Sequence, residues 1–285
     1  MYTLFNNTKI FISGLEFSKE SFKRKHIKSK LFKFICICLV GPGLFVLGSN
    51  FPSQLTLFDT TEMKPVTQLD LQLGAQPIDV CLIPGDKVAI TCEWWGTIVI
   101  VSVKNKQLHR EHAIHIDSRP MCITSYKDDL FVVTGNVETK QVSISRVTRS
   151  GDRHVVCDLS EWRRFDLPGW YSMTTSKECE PKIYVTQYGR SDILEVSFDG
   201  CTFRYISMPH TEGYISKNVV SVGENTLCMF SDGNKLLLAD IKGENTLVYM
   251  KQKTAFRWYH QAYVCPVTKT FLIYDALKGK IKVFK

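Results

Sequence analysis

The sequence predicts an all-β fold, a six-bladed β-propeller of four-stranded antiparallel blades, and a six-fold internal repeat is the main reason. Short apolar cores recur along the chain around Phe45, Val88, Phe131, Ile183, Leu227 and Phe271. The gaps between them are 43, 43, 52, 44 and 44 residues, which fits strand-built repeats of roughly 40–50 residues, the size of a propeller blade. A second β-rich run follows each core, near Leu55, Ile98, Val142, Ile193, Leu236 and Ile281.

The residue types inside each repeat support the same fold. In the second repeat, residues 77–82, 87–91 and 97–103 are rich in β-branched residues, and Pro84-Gly85-Asp86 separates the first two runs. Apolar residues spaced 3.6 apart do not persist beyond three turns, so we expect helices to be minor. The chain therefore divides into residues 1–33, a closing strand plus a basic leader, and residues 34–285, the propeller.

The ring needs one strand from the N-terminus. The sequence ends directly after the third strand of blade 6, so the outermost strand of that blade must come from elsewhere, because an unpaired edge is a pairing hazard. We expect a segment within residues 3–13, with Lys9-Ile10-Phe11-Ile12 as its apolar part, to close the ring.

Positive charge is concentrated before the repeats. The formal net charge is +8, and residues 1–33 hold eight Lys and Arg against Glu16 and Glu20, which leaves the propeller near neutral. Such a cluster contacts nucleic acid, anionic lipid or an import receptor, or it is a solvated loop between two strands. The next segment, residues 31–47, is apolar like a signal anchor, but Gly41-Pro42-Gly43 interrupts it and favours two strands, so we expect no membrane partner.

The ten cysteines fit buried free thiols. Seven fall in predicted inner strands: Cys36, Cys38, Cys81, Cys122 and Cys265 in the innermost strands, and Cys92 and Cys228 in the next ones. A C-x-x-C pair is absent, which argues against a zinc ribbon or RING. Free thiols favour a reducing compartment, so we expect a cytoplasmic protein.

Sequence motifs for catalysis, metal binding or phosphate binding are weak. His109, His112 and His115 lie on a predicted outer strand, where alternation would turn His112 away from the other two, so we expect no metal site. Nucleophile and phosphate-binding motifs are absent. Asp79, Asp232 and Asp275 stand near strand ends without forming a repeated ligand set. We therefore expect no enzyme and no cofactor, with a propeller hydrolase or lactonase as the third alternative.

Large aromatic and Arg residues gather on one predicted rim. In a propeller, the loop before each innermost strand and the loop between the second and third strands share one face. The residues placed there are Trp94, Trp95, Arg119, Trp170, Tyr171, Tyr188, Arg190, Trp258, Tyr259 and His260. These residue types dominate binding hot spots, which predicts a rim that binds a protein or peptide, although single members are equally able to act as plugs between blades.

Two sequence segments resemble NHL-type repeats, as found in the C-terminal propellers of tripartite-motif (TRIM) proteins. They are Ile183-Tyr184-Val185-Thr186 with Ile193-Leu194-Glu195-Val196, and Phe271-Leu272-Ile273-Tyr274-Asp275 with Lys280-Ile281-Lys282-Val283-Phe284. WD40 repeats are a weaker match. The resemblance implies substrate recognition for ubiquitin transfer. It also implies an alternative, RNA binding, in which Arg119, Arg190 and Arg257 would lie beside stacked bases.

Overall fold

The computed structural model describes most strands of the predicted repeat. The described residues are 10–12, 15–17, 25–28, 34–50, 52–59, 61–62, 64–71, 75–93, 96–136, 138–160, 171–176, 180–187, 190, 192–207, 216–221, 226–231, 235–241, 247–251, 260–265, 270–275 and 280–284. Within these ranges the chain forms 26 β-strands. No helix in this part of the chain is long and apolar enough to cross a membrane.

The strands follow the repeat along the chain. Three N-terminal strands come first: β1 (Ile10–Ile12), β2 (Leu15–Phe17) and β3 (Lys25–Lys28). The first two sheets are β4 (Phe34–Gly41), β5 (Leu44–Asn50), β6 (Ser53–Asp59), β7 (Lys64–Asp70), then β8 (Pro77–Ile83), β9 (Lys87–Cys92), β10 (Thr97–Lys104), β11 (Gln107–His115). The third and fourth are β12 (Arg119–Tyr126), β13 (Asp129–Gly135), β14 (Val142–Val147), β15 (Arg153–Asp158), then β16 (Tyr171–Thr175), β17 (Lys182–Gln187), β18 (Asp192–Ser197), β19 (Phe203–Ser207). The remaining strands are β20 (Ser216–Ser221), β21 (Thr226–Ser231), β22 (Lys235–Asp240), β23 (Leu247–Lys251), β24 (His260–Cys265), β25 (Thr270–Asp275) and β26 (Lys280–Phe284).

The four-stranded sheets are antiparallel, and their strands are ordered from the innermost to the outermost. In the described residues β4–β7, β8–β11, β12–β15, β16–β19 and β20–β23 form such sheets, and β24–β26 form another with β3. The apolar cores used to find the repeat lie in the second strands, and the later runs lie in the third strands. The predicted all-β propeller of four-stranded antiparallel sheets is confirmed.

The apolar stretch after the basic leader is a hairpin of two strands. Strand β4 pairs with β5, and the turn between them contains Gly43 at φ 74°, a left-handed conformation that favours glycine. Five consecutive residues of β5 are buried. The interpretation of this stretch as two strands is therefore confirmed.

The N-terminal strand that completes the last sheet is not the predicted one. Strand β3 pairs with β26, with Ile27 opposite Ile281 and His26 opposite Lys282. Residues 10–12 instead form a separate hairpin with β2. The placement of the closing strand within residues 3–13 is wrong. The basic leader itself supplies the strand, and a Lys-rich strand suits an outer edge because its charges discourage further pairing.

The hydrophobic core lies between neighbouring sheets. Val46 and Val80 pack between the first two sheets, Ile100 and Ile123 between the second and third, and further clusters fill the next two boundaries. Strand β10 is buried over six consecutive residues, because each of its two faces packs against a neighbouring sheet. Such strands read as continuous apolar runs, which is why the repeat is visible in the sequence.

The cysteines occupy the strands predicted for them. Cys36 and Cys38 lie in β4, and Cys81, Cys122 and Cys265 lie in the corresponding innermost strands of other sheets. The cysteines whose side chains the structure describes are free, with Cys201 exposed and Cys157 partly exposed. Burial raises the pKa of the Cys92 thiol to about 12 and raises the pKa of Cys36 and Cys122 as well. These thiols are protonated, unreactive members of the core.

Candidate ligand-binding face

One end of the sheets collects two families of loops. Because the strands of each sheet alternate in direction, the loop before the first strand and the loop between the second and third strands lie at the same end. We call this end the rim face. It is formed by the residues that flank these loops, such as Asn50, Glu93, Arg119, Gln187 and Arg190.

Hydrogen bonds between neighbouring innermost strands align these ends. The Asp79 carboxylate accepts a bond from Ile123 N at 2.9 Å, and Ser125 Oγ donates to Leu82 O. In the fourth and fifth sheets, Ser172 Oγ accepts from Val219 N at 3.2 Å. At both of these boundaries the residue numbers increase together, so the neighbouring innermost strands run in the same direction. The rim face is therefore continuous across these two boundaries.

Both described arginines of the predicted rim lie on this face, and each is paired with a carboxylate. Arg119 begins β12 and forms an ion pair with Glu93, which follows β9 in the neighbouring sheet. Arg190 lies in the loop after β17 and makes two bonds to Asp192, Nε–Oδ1 at 3.0 Å and Nη2–Oδ2 at 2.8 Å. The two bonds fix the guanidinium plane of Arg190, and both arginine charges are locally neutralised.

Tyr171 is a core residue at the edge of the rim face. It is buried in the cluster between the third and fourth sheets, and its hydroxyl accepts a hydrogen bond from Gln187 Nε2 at 3.2 Å. Gln187 is fully buried, and its backbone carbonyl accepts a bond from Arg190 N at 3.0 Å. Buried Tyr171 thereby supports the Arg190 loop from below.

Of the other seven predicted rim residues, the structure describes only the backbone of His260. His260 begins β24. The remaining six fall outside the described residues: Trp94, Trp95, Trp170, Tyr188, Trp258 and Tyr259. Their role in binding stays a prediction.

Buried polar atoms without a hydrogen-bond partner concentrate at the rim face. In the described part of the chain these atoms are Asn50 Oδ1, Gln54 Nε2, Thr56 Oγ1, Ser118 Oγ, Arg119 Nε, Thr186 Oγ1 and Gln187 Oε1. All except Thr56 belong to residues that border the rim-face loops. Buried polar atoms normally find a hydrogen-bond partner, so this concentration distinguishes the rim face from the rest of the described fold. Sequence reasoning missed Gln187 and Ser118 because single polar residues at strand ends carry no pattern.

Asp79 brings a carboxyl to the innermost strands below the rim face. The side chain is half-buried, and its two oxygens accept bonds from Ile123 N and Val80 N, each at 2.9 Å. Burial raises the pKa of this carboxyl to about 7, against the lowering effect of the two backbone bonds. A carboxyl with such a pKa exchanges protons near neutral pH, as acid–base groups do.

The three histidines of β11 do not share one face, because a register shift changes the alternation of side chains along the strand. A register shift between Ile100 and Val101 inserts an extra residue into β11, so His112 pairs with Ile100 and His109 with Ser102. These two share a face, and His115 lies on the other. The expectation that His112 points away from both is wrong. No group of three or more His, Cys, Asp or Glu residues able to hold a metal occurs among the described residues.

Comparison with known proteins shows a likeness of fold alone. No protein-family model and no curated protein matches the sequence. Among solved structures, a streptogramin B lyase superposes with a TM-score of 0.66 at 12% identity, covering 94% of this chain and 99% of that one. Virginiamycin B lyase from Staphylococcus aureus gives 0.62 at 13% identity, covering 92% and 99%. A nidogen/laminin complex gives 0.59 at 11% identity, covering 82% and 85%.

These likenesses correct one expectation. The expectation of no enzyme, which rested on the absence of catalytic motifs, is contradicted, because two of the solved structures that share the fold are lyases. The third belongs to a complex between proteins. The propeller fold is thus shared by enzymes and by proteins that bind other proteins, and the function must be argued from the site.

Proposed function

We propose that this propeller is a recognition module that binds a protein or peptide on its rim face. The observation that carries the proposal is the position of two partly exposed arginines, Arg119 and Arg190, on one face, each paired with a carboxylate. A peptide offers carbonyl and carboxylate oxygens, which are the acceptors that guanidinium groups bind. A propeller in the nidogen/laminin complex supports this use of the fold.

The charge of the described rim favours a protein over RNA. Arg119 and Arg190 are each neutralised by a neighbouring carboxylate, and Glu93 and Asp192 would repel phosphates. RNA binding normally relies on a strongly basic face. Following the resemblance to NHL-type repeats, we place this recognition role in the reducing cytoplasm, as the substrate-recognition part of a TRIM-like ubiquitin-ligase system.

We infer further that the sheets close into one ring of six blades, with β3 as the strand that completes the last blade. In support, the innermost strands contact one another in the order β4, β8, β12, β16, β20 and β24, and β24 contacts β4. A closed ring gives the rim face a fixed shape, which reduces the entropy lost on binding.

The proposal is tested with the double variant Trp95→Ala and Arg190→Ala. Hot-spot truncations of this kind cost about 2 kcal/mol or more each, so capture of the partner in a pull-down with mass spectrometry should be lost. The melting temperature should stay within about 3 °C of the wild type, since both residues are predicted to lie in rim loops and not in the core. The matched control is Thr67→Ala with Gln107→Ala, which removes an exposed 3.1 Å bond between outer strands and should leave capture unchanged.

The outcomes separate the alternatives. Equal capture by the wild type and the rim variant would overturn the proposal. Capture of RNA that weakens steeply as salt rises would instead favour the RNA alternative, because phosphate contacts release counterions.

A second candidate function is acid–base catalysis at the central channel, and the pKa of about 7 at Asp79 favours it. Lyases that share the fold provide the first substrate to test. Mass spectrometry of a streptogramin B incubated with the protein should show conversion that Asp79→Asn abolishes. An unchanged substrate profile with the wild type would contradict this candidate.

A further inference from the structure

The outermost strand of the fourth sheet exposes an aromatic pair. Phe203 and Tyr205 are 61% and 48% exposed, and their rings contact edge to face with centroids 6.3 Å apart. They lie opposite Val196 and Leu194 in the β18–β19 ladder, and both of those residues are buried in the core between the third and fourth sheets. The pair therefore extends an apolar face outward to the edge of the sheet.

Strand β19 lacks a register shift that three other described outer strands, β7, β11 and β15, have in common. The ladders that join β7, β11 and β15 to their sheets each contain a register shift, which twists an edge away from a partner. The β18–β19 ladder runs in continuous register. Of these four outer strands, only β19 exposes aromatic side chains, whereas β7 and β11 expose charged ones.

The backbone of β19 offers free hydrogen-bonding groups at the same two aromatic residues. Ser197 N donates to Thr202 O at 2.9 Å, so the pair of residues 197 and 202 is hydrogen-bonded. Pairs in an antiparallel ladder alternate, which makes the ladder pairs of Phe203 and Tyr205 the non-bonded type. The N–H and C=O groups of both residues therefore point outward, away from β18.

We propose that β19 is the interface of a weak homodimer, in which a second copy of this chain adds its own β19 antiparallel to this edge. With Arg204 at the two-fold axis, Phe203 of one copy lies opposite Tyr205 of the other, and the reverse. Each of these pairs exchanges both backbone hydrogen bonds, and the four rings meet on one face of a continuous sheet. Such an interface is isologous, so it closes on itself and does not extend into a fibre.

The charges at the axis are compatible with this pairing. Two copies of Arg204 meet on the opposite face of the sheet, where like charges would repel. Each Arg204 is already bonded to Glu195 by Nε at 2.8 Å and by Nη2 at 2.9 Å. The dimer axis therefore brings together two arginines that are each already bonded to a carboxylate. A second copy satisfies both the backbone edge and the aromatic pair.

The test is sedimentation velocity over a range of protein concentrations, in reductant and in a Cys201→Ser background that excludes disulfide-linked dimers. The wild type should shift from monomer to dimer at roughly 10–100 µM, as expected of an interface smaller than the standard size. The variant Phe203→Lys with Tyr205→Lys should weaken dimerisation at least about tenfold, because lysines block edge pairing. The matched control is Val155→Lys, since Val155 is 62% exposed on the neighbouring but bulged outer strand β15, and it should dimerise like the wild type.

Hydrogen exchange on the unmutated protein gives a second, independent measurement. The amides of Phe203 and Tyr205 should become protected as concentration rises, while the amide of Arg204, bonded within its own sheet, should not change. A wild type that stays monomeric at about 500 µM overturns the proposal. So does a dimer that survives both lysines, or protection that appears elsewhere on the chain.

Discussion

Asp79 performs a structural task that an uncharged residue performs elsewhere in the same fold. Asp79 lies opposite the buried Thr91, as Ser172 lies opposite the buried Thr186. Each accepts a backbone N–H from the innermost strand of the next sheet, at 2.9 and 3.2 Å. Because Ser172 makes this bond without a charge, the fold does not require a carboxylate at position 79.

The raised pKa of Asp79 gives a prediction with a definite sign. A pKa of about 7 exceeds the ordinary value of 3.8, so the native state binds a proton that the unfolded state releases between those limits. The stability from Asp79 is therefore complete below pH 3.8 and is lost as pH rises to about 7. The variant Asp79→Asn should gain about 2 kcal/mol relative to the wild type between pH 5 and pH 8, allowing for water in the channel. Urea unfolding at the two pH values measures this, and parallel curves would contradict the assignment.

In a cluster of ion pairs across three strands, the pKa of a carboxyl shifts in the direction opposite to that of Asp79. Burial alone would raise the pKa of Glu195, but bonds from Arg204 and from Lys182, the latter at 2.8 Å, hold that pKa below its usual value. Glu195 thus remains ionised and joins β17, β18 and β19. Its charge supports the outer strand, whereas the charge of Asp79 costs stability.

The turn between β18 and β19 fixes one sheet against the next. Gly200 has φ +73°, and a Cβ there would meet Val156 O of β15 at 1.8 Å. The close approach brings the backbone of the fourth sheet onto the outer strand of the third. Only glycine satisfies both the conformation and the space.

The variant Gly200→Ala should therefore be destabilised by about 2 kcal/mol or more, since both backbone strain and a clash with a main-chain atom arise. Thermal unfolding measures the effect. Gly41→Ala is the control, because a Cβ at Gly41 meets nothing within 4 Å, and alanine in a strand is tolerated. Equal melting temperatures for the two variants would show that the β18–β19 turn moves freely away from β15.

At the scale of the molecule, the sequence predicts strands well where both faces of a strand are buried. Residues such as Val88 and Phe131 lie in strands buried on both faces, and these produce the apolar runs from which the repeat was read. Outer strands follow another rule, because solvent covers them and charge protects their edges. The prediction of an apolar closing strand therefore named residues 9–12 and missed the Lys-rich strand β3.

The candidate site was only partly predictable for a related reason. Arg119 and Arg190 were found by residue type, but the carboxylates that hold them were not, since Glu93 belongs to the neighbouring sheet. Gln187 and Asp79 act through contacts that arise only when the sheets assemble. A register shift such as that in β11 also leaves no trace in the residue pattern. Strand periodicity gives the fold, whereas the site depends on contacts between sheets.

Two truncations distinguish the N-terminal strands. Removing residues 1–17 deletes the β1–β2 hairpin, which pairs only with itself in the described residues, so the melting temperature should change little. Removing residues 1–28 also deletes β3 and leaves β26 as a bare edge that carries Ile281 and Val283. We expect this shorter chain to melt about 10 °C lower and to aggregate, because the last sheet loses its outer strand. Differential scanning calorimetry with light scattering measures both effects. If the two truncations behave alike, β3 does not close the ring, and the position of the closing strand must be sought elsewhere in the N-terminal 33 residues.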